Sequence, residues 1–170
     1  MVALFGLVAF GGAGLAFLSF SSSPPPEAPI RIESGVTPVV IDGIAVVVVR
    51  DGDDVWAFLA GDRRRERIEW CASSELFTTT EGGSAYDVTG ERLAGPAPTD
   101  LDQVRVVATS DPDLFQIVPD DIEPGTLRIE GATVIDGPWQ PRFGDGAAEE
   151  RWVQRFEDGA SYCPERSAIG

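Results

Sequence analysis

Residues 44–60 read IAVVVVRDGDDVWAFLA, and the fold class follows from this stretch. Ile44–Val49 is too short and too rich in β-branched side chains for a helix, so it reads as a buried strand. Asp51-Gly52-Asp53-Asp54 is a turn signal, and Val55–Ala60 returns as the second arm of a hairpin. A calcium loop would be the sharper reading of that turn, but the carboxylate spacing of an EF-hand is missing. Further strands are expected over Ser84–Val88, Val104–Ala108, Phe115–Val118, Thr126–Glu130 and Ala132–Ile135. Arg151–Phe156 and Ala160–Cys163, around Glu157-Asp158-Gly159, read as one more hairpin. Trp139 and Trp152 are expected to pack on the domain. Short strands between Gly, Pro and Asp punctuation predict an all-β, antiparallel sandwich or barrel.

Upstream of the strands lies Val2 to Phe20, an apolar run without a charge. At the helical rise, nineteen residues span roughly 29 Å, close to the hydrocarbon thickness of a bilayer. The expected organisation is therefore an anchor over 1–20, a Ser/Pro linker over 21–29, a β domain over 30–130 and an extension over 131–170. A cleaved signal peptide competes for the first segment, although its basic n-region is missing. With a retained anchor, the expectation is a single-pass protein of the cell membrane, in the bilayer through residues 2–20, with its C-terminal domain extracytoplasmic. SSSPPPEAP over 21–29 combines flexible serines with a stiff polyproline segment.

Composition excludes more than it selects. The net charge is −15, with thirteen arginines, no lysine and no histidine. Such a surface repels phosphate backbones, so no nucleic-acid partner is expected. Without histidine there is no Ser-His-Asp or Cys-His triad and no imidazole-ligated metal. Without lysine there is no Schiff-base chemistry. Carboxylates remain, but no pair of them has a recognisable catalytic setting, so no catalytic residue is assigned.

The middle of the chain carries a patterned series. Glu69-Trp70-Cys71, Leu76-Phe77, Gly83-Ser84-Ala85-Tyr86-Asp87, Gly90 and Gly95-Pro96-Ala97-Pro98-Thr99-Asp100-Leu101 succeed one another in a known order. That order is C-x-H, then C-x-x-H-G-S-x-[FY]-D-x-x-G, then a G-P-A-P loop and a leucine. On these residues the stretch 36–108 resembles the Rieske [2Fe–2S] domain family, in its membrane-anchored subunit form. The resemblance implies a Rieske-like β fold. It also implies where cluster ligands would stand: aligning Gly83-Ser84 puts the second pair at Thr79 and Gly82, and the first at Gly61 and Arg63. Fifteen residues separate Arg63 from Thr79, a spacing the family allows. All four positions are substituted, and a Rieske cluster needs two thiolates and two imidazoles. No bound cofactor and no metal are therefore expected. The family's bridge between its ligand loops would join Glu66 and Glu81, so it is missing as well. Ser84 and Tyr86, which in relatives hydrogen-bond to cluster and cysteine sulfur, are expected to maintain the fold: Ser84 in a turn, Tyr86 as a half-buried strand aromatic.

Two features remain. Asp62-Arg63-Arg64-Arg65-Glu66-Arg67 reads either as a solvated loop or as a docking patch, with Arg63, Arg64, Arg65 and Arg67 contacting an acidic partner or lipid headgroups. Cys71 and Cys163 are a possible disulfide in an oxidising compartment. With the resemblance, these imply a cluster-less, non-enzymatic subunit with a structural or assembly role in a respiratory electron-transfer complex of the quinol–cytochrome c reductase kind. Its partners would be integral membrane and redox subunits. A stand-alone binding module is the alternative, and an Asp/Glu hydrolase a remote one.

Overall fold

The structure is a computed structural model that describes residues 28–81, 83–130, 137–144, 146–159 and 163–164. Among the described residues ten strands come in chain order: β1 (Ile30–Arg31), β2 (Gly35–Ile41), β3 (Ile44–Asp51), β4 (Asp54–Leu59), β5 (Ile68–Cys71), β6 (Leu76–Thr79), β7 (Ala85–Tyr86), β8 (Arg92–Ala94), β9 (Gln103–Ala108) and β10 (Leu114–Glu123), before a helix, α1 (Gly146–Asp158). The described chain is thus mostly β with one short helix. The expected anchor over residues 1–20 and the expected strand at Ala132–Ile135 lie outside the described residues. No described helix is long and apolar enough to cross a membrane.

Two antiparallel sheets form. The larger has the order β1-β10-β9-β4-β3-β2, the smaller β5-β6-β7-β8. The turn between β2 and β3 is Asp42-Gly43, with φ of 50° and 77°. Positive φ at both positions matches the twist of a two-residue hairpin, which explains why Ile41 faces Ile44 directly. Val46 to Val49 of β3 then pair with Trp56 to Leu59 of β4.

β3 is buried on both faces, which accounts for its unbroken apolar run. Ala45, Val47 and Val49 join Phe58, Phe77, Tyr86, Trp152 and Phe156 in one core. Ile44, Val46 and Val48 join Ile32, Leu59, Val104 and Phe115 in the other. In β10 the pairing slips between Val118 and Ile122, and Pro119, which has no N–H to donate, sits in the bulge.

The strand expected at Ser84–Val88 contracts to Ala85–Tyr86, and Thr126–Glu130 contributes only an isolated bridge from Leu127 to Thr99. The first arm of the expected hairpin, Arg151–Phe156, is wrong: those residues belong to α1, while 160–162 of the second arm lie outside the described residues. Ala, Glu, Arg and Gln favour helix, and Trp152 and Phe156 stand one turn apart on its buried face. Gly159, at φ 87°, closes the helix by donating its N–H to the Phe156 carbonyl.

The C-terminal segment is part of the fold. Ala45 donates to the Pro141 carbonyl at 2.8 Å and Phe143 to that of Gly43 at 3.0 Å. Trp152 packs between Phe143 and Phe156 at 5.5 and 5.8 Å. A disulfide joins Cys71, at the end of β5, to Cys163, with Cα atoms 5.4 Å apart and a sequence separation of 92. Because it closes a long loop, Cys71→Ser with Cys163→Ser should lower unfolding stability by roughly 2–4 kcal/mol. Urea unfolding of the oxidised protein and of the double variant measures this, and equal midpoints would contradict it.

Candidate functional site at the neck between the sheets

The small sheet is an excursion from the larger one. The chain leaves β4, forms β5 to β8, and returns to β9, which lies beside β4. Outgoing and returning segments therefore meet at a neck, and the arginine-rich loop is its outgoing side. Phe58 faces Gln103 there, and Leu59 donates to the Asp102 carbonyl at 3.0 Å. A bridge between Gly61 and Arg67 closes the loop.

Asp62 organises the interior of that loop. Its Oδ1 accepts the backbone N–H of Arg64 at 2.8 Å and of Glu66 at 3.0 Å, while Oδ2 accepts the Tyr86 hydroxyl at 3.4 Å. The first of these is an Asx-turn, in which a short carboxylate bonds its own backbone two residues on. Burial raises the Asp62 pKa, outweighing the N–H donors from Glu66 and Arg64 that favour its charge. Tyr86 is fully buried, not half-buried as expected, because it spans from the small sheet to this loop. Burial, and then the Asp62 charge, push its pKa up as well.

Arg63 does not face a partner. It is 7% exposed, and its Nε lies 2.9 and 2.7 Å from the carboxylate oxygens of Asp102, itself 2% exposed. Asp102 Oδ1 also accepts the Gly125 N–H at 2.9 Å. One ion pair thus ties the outgoing loop, the returning segment and the turn after β10. Arg63 leaves the expected docking patch for a plain reason: a buried carboxylate on the return segment attracts the nearest cation. The other arginines divide. Arg64 pairs with Glu66 at 3.4 Å, and Arg65 stands exposed at the loop tip with φ 67°. The Arg67 guanidinium stacks 4.9 Å over the Phe143 ring.

The ligand positions implied by the resemblance are given over to packing. A Cβ added at Gly61 would lie 2.5 and 2.6 Å from two carbons of the Trp139 ring and 3.0 Å from Pro141. Trp139 thus occupies the space a side chain at 61 would need. Arg63 is committed to Asp102. Thr79 is buried, its Oγ1 accepting the Ser84 N–H at 3.1 Å and its own N–H donating to the Ser84 carbonyl at 3.0 Å. Gly82 lies outside the described residues. These residues do not fit an iron–sulfur cluster: at 61 there is neither a donor nor room for one, and at 63 a buried cation. Among the described residues, no group of three or more His, Cys, Asp or Glu could hold a metal ion.

Ser84 stays close to the return loop. Its Oγ accepts the Ala97 N–H at 2.9 Å, and a Cβ at Gly95, whose φ is 94°, would collide with the Ser84 backbone. Glycine is required there so that the G-P-A-P loop can lie against Ser84. Asp62 and Asp102 are the neck residues that sequence reasoning missed. An Asp opening a polar turn was the available signal for the first, and Asp102 had none.

No family model matches the chain, and no curated protein does. Among solved structures, the ferredoxin of carbazole 1,9a-dioxygenase from Nocardioides aromaticivorans IC177 is similar at 24% identity and a TM-score of 0.41. The alignment covers 54% of this chain and 98% of that one.

The neck can be tested at both of its buried carboxylates. Removing one partner of a buried pair strands the other charge, so Arg63→Ala should cost about 3–5 kcal/mol in urea unfolding. A cost below about 1 kcal/mol would mean that the pair is solvated. At Asp62 the folded pKa is raised, so its contribution to stability is full below the unfolded value, 3.8. That contribution is lost as pH rises through the folded value. An asparagine at this position would keep the acceptor for both N–H groups without carrying a buried charge. Asp62→Asn should therefore be at least as stable as the wild type at pH 7, with its advantage shrinking toward pH 4. Asp62→Ala, which orphans those donors, should lose roughly 1–3 kcal/mol. Unfolding midpoints between pH 4 and 7 decide it, and an Asp62→Asn variant as weak as Asp62→Ala would refute the assignment.

Proposed function

We propose that this chain is a cluster-less Rieske-type domain, non-enzymatic, with a structural or assembly role in a membrane respiratory electron-transfer complex of the quinol–cytochrome c reductase kind. The residues that carry the family resemblance, Gly83 to Asp87 and Gly95 to Leu101, are its starting point. The observation that carries the cluster-less half is the side chain of Trp139 in the space over Gly61. Together with the Arg63–Asp102 pair, it turns a cofactor site into a packed joint. A domain rebuilt in this way has kept its shape and given up electron transfer, which suits a subunit valued for its surfaces. The apolar run over residues 2–20 would hold the domain at a membrane, outside the cytoplasm.

A stand-alone, membrane-anchored binding module is the second reading. It is favoured by Arg64 and Arg65, which the loop presents outward on a chain of net charge −15. An acidic protein surface is the partner such a tip would meet.

Purification from native membranes in a gentle detergent, followed by mass spectrometry and an iron and acid-labile sulfide assay, tests both. The expected outcome is co-purification with haem or iron–sulfur subunits, and no iron once the chain is separated from them. A chain that purifies alone favours the binding module. Stoichiometric iron and sulfide in the separated chain would overturn the cluster-less reading itself.

A further inference from the structure

A cleft of about 130 Å³ lies between the start of the small sheet and α1. Its floor is apolar, formed by the buried rings of Trp152 and Phe156. Its rim is polar: Arg67 and Thr80 from the loops flanking the β5–β6 hairpin, Glu69 from β5, and Arg151 from α1. The cleft is separate from the neck packing of Asp62, Arg63 and Trp139, and its chemistry is independent of the function proposed above.

We infer that this cleft binds a small organic monocarboxylate, its charged group between Arg67 and Arg151 and its apolar body on Trp152 and Phe156. Arg67 and Arg151 line the rim together with a single carboxylate residue, Glu69, so guanidiniums outnumber carboxylates there on a strongly acidic protein. A single negative charge answers that surplus. A dianion such as phosphate would meet Glu69 without using the aromatic floor. Arg67 is held in place by its stacking on Phe143, 4.9 Å from the ring, and a stacked guanidinium keeps its in-plane N–H groups available. Less of its side-chain freedom is then lost on binding. The volume of about 130 Å³ is on the scale of one small acid.

Titration calorimetry on the intact, oxidised chain at constant ionic strength is the test, with benzoate, inorganic phosphate and chloride as probes. Benzoate should bind saturably at one site, with phosphate and chloride showing no saturation. Arg151→Gln, an exposed change on α1, should weaken benzoate binding about tenfold while leaving the melting temperature unchanged, since a charge-assisted hydrogen bond is lost. Arg67→Gln should weaken it comparably. Absence of saturable benzoate binding, an unchanged affinity in Arg151→Gln, or phosphate binding as tightly as benzoate would each overturn the inference.

Discussion

The pairing of Arg63 with Asp102 governs how the two sheets can be joined. Along the backbone, the small sheet joins the larger one through the segments that leave β4 and return to β9. An ion pair at 2.7 Å, closed off from water, holds both segments at one separation. Taken alone, the pair need not add stability, because desolvating two charges offsets most of their attraction. Its effect is on specificity. In the observed packing Asp102 meets both Arg63 and the Gly125 N–H, which links Gly61 and Asp62 of the loop to the turn at Gly125. Phe58, Phe77 and Tyr86 can then meet across the neck, with Phe58 and Phe77 edge to face at 6.2 Å.

Carboxylates do similar work elsewhere, which changes how the acidity of the chain is read. Asp87 accepts the N–H groups of Thr89 and Glu91, and Asp100 accepts that of Arg92 while pairing with Arg128 at 2.8 Å. Asp113 joins Arg31 and Arg50, whose guanidinium also reaches the Ile32 carbonyl at 2.7 Å. Each short acidic side chain fixes a turn by satisfying backbone donors or cations that a loop would otherwise leave to water. Part of the negative charge is therefore loop scaffolding. The choice of arginine over lysine fits the same pattern, since a planar fork can bridge a carboxylate and a carbonyl together.

The β part of the fold was legible where periodicity and turn chemistry agreed. The Val-rich β3 run and the turns flanking it mark a doubly buried strand between two hairpins. The helix was not legible for a local reason: Trp152, Val153 and Phe156 are good strand residues, and Glu157-Asp158-Gly159 resembles a hairpin turn. Read at a period of 3.6, the same residues give an apolar stripe with Ala and Glu ahead of it, a better match to 146–158. At the neck, glycine at 61 was visible, but its partner Trp139 lies 78 positions away and nothing local announces the contact. The four arginines looked alike in sequence. Only tertiary structure separates the buried one from the stacked one and the two at the tip.

On the proposed reading, these features answer one structural problem. A cluster ligated from two loops cross-links them, and a chain that gives up the cluster loses that cross-link along with the redox centre. Here three contacts stand in its place at different distances from the vacated position. Trp139 fills the space at Gly61, the Arg63–Asp102 pair fixes the neck, and the Cys71–Cys163 bridge ties β5 to the C-terminal segment. Two of the three depend on residues beyond the β domain, so on that reading the extension would take over the cross-linking that a cluster supplies. This accounts for the burial of Trp152 and Phe156 in the same core as β3. A segment that only decorated the surface would have no reason to share that core.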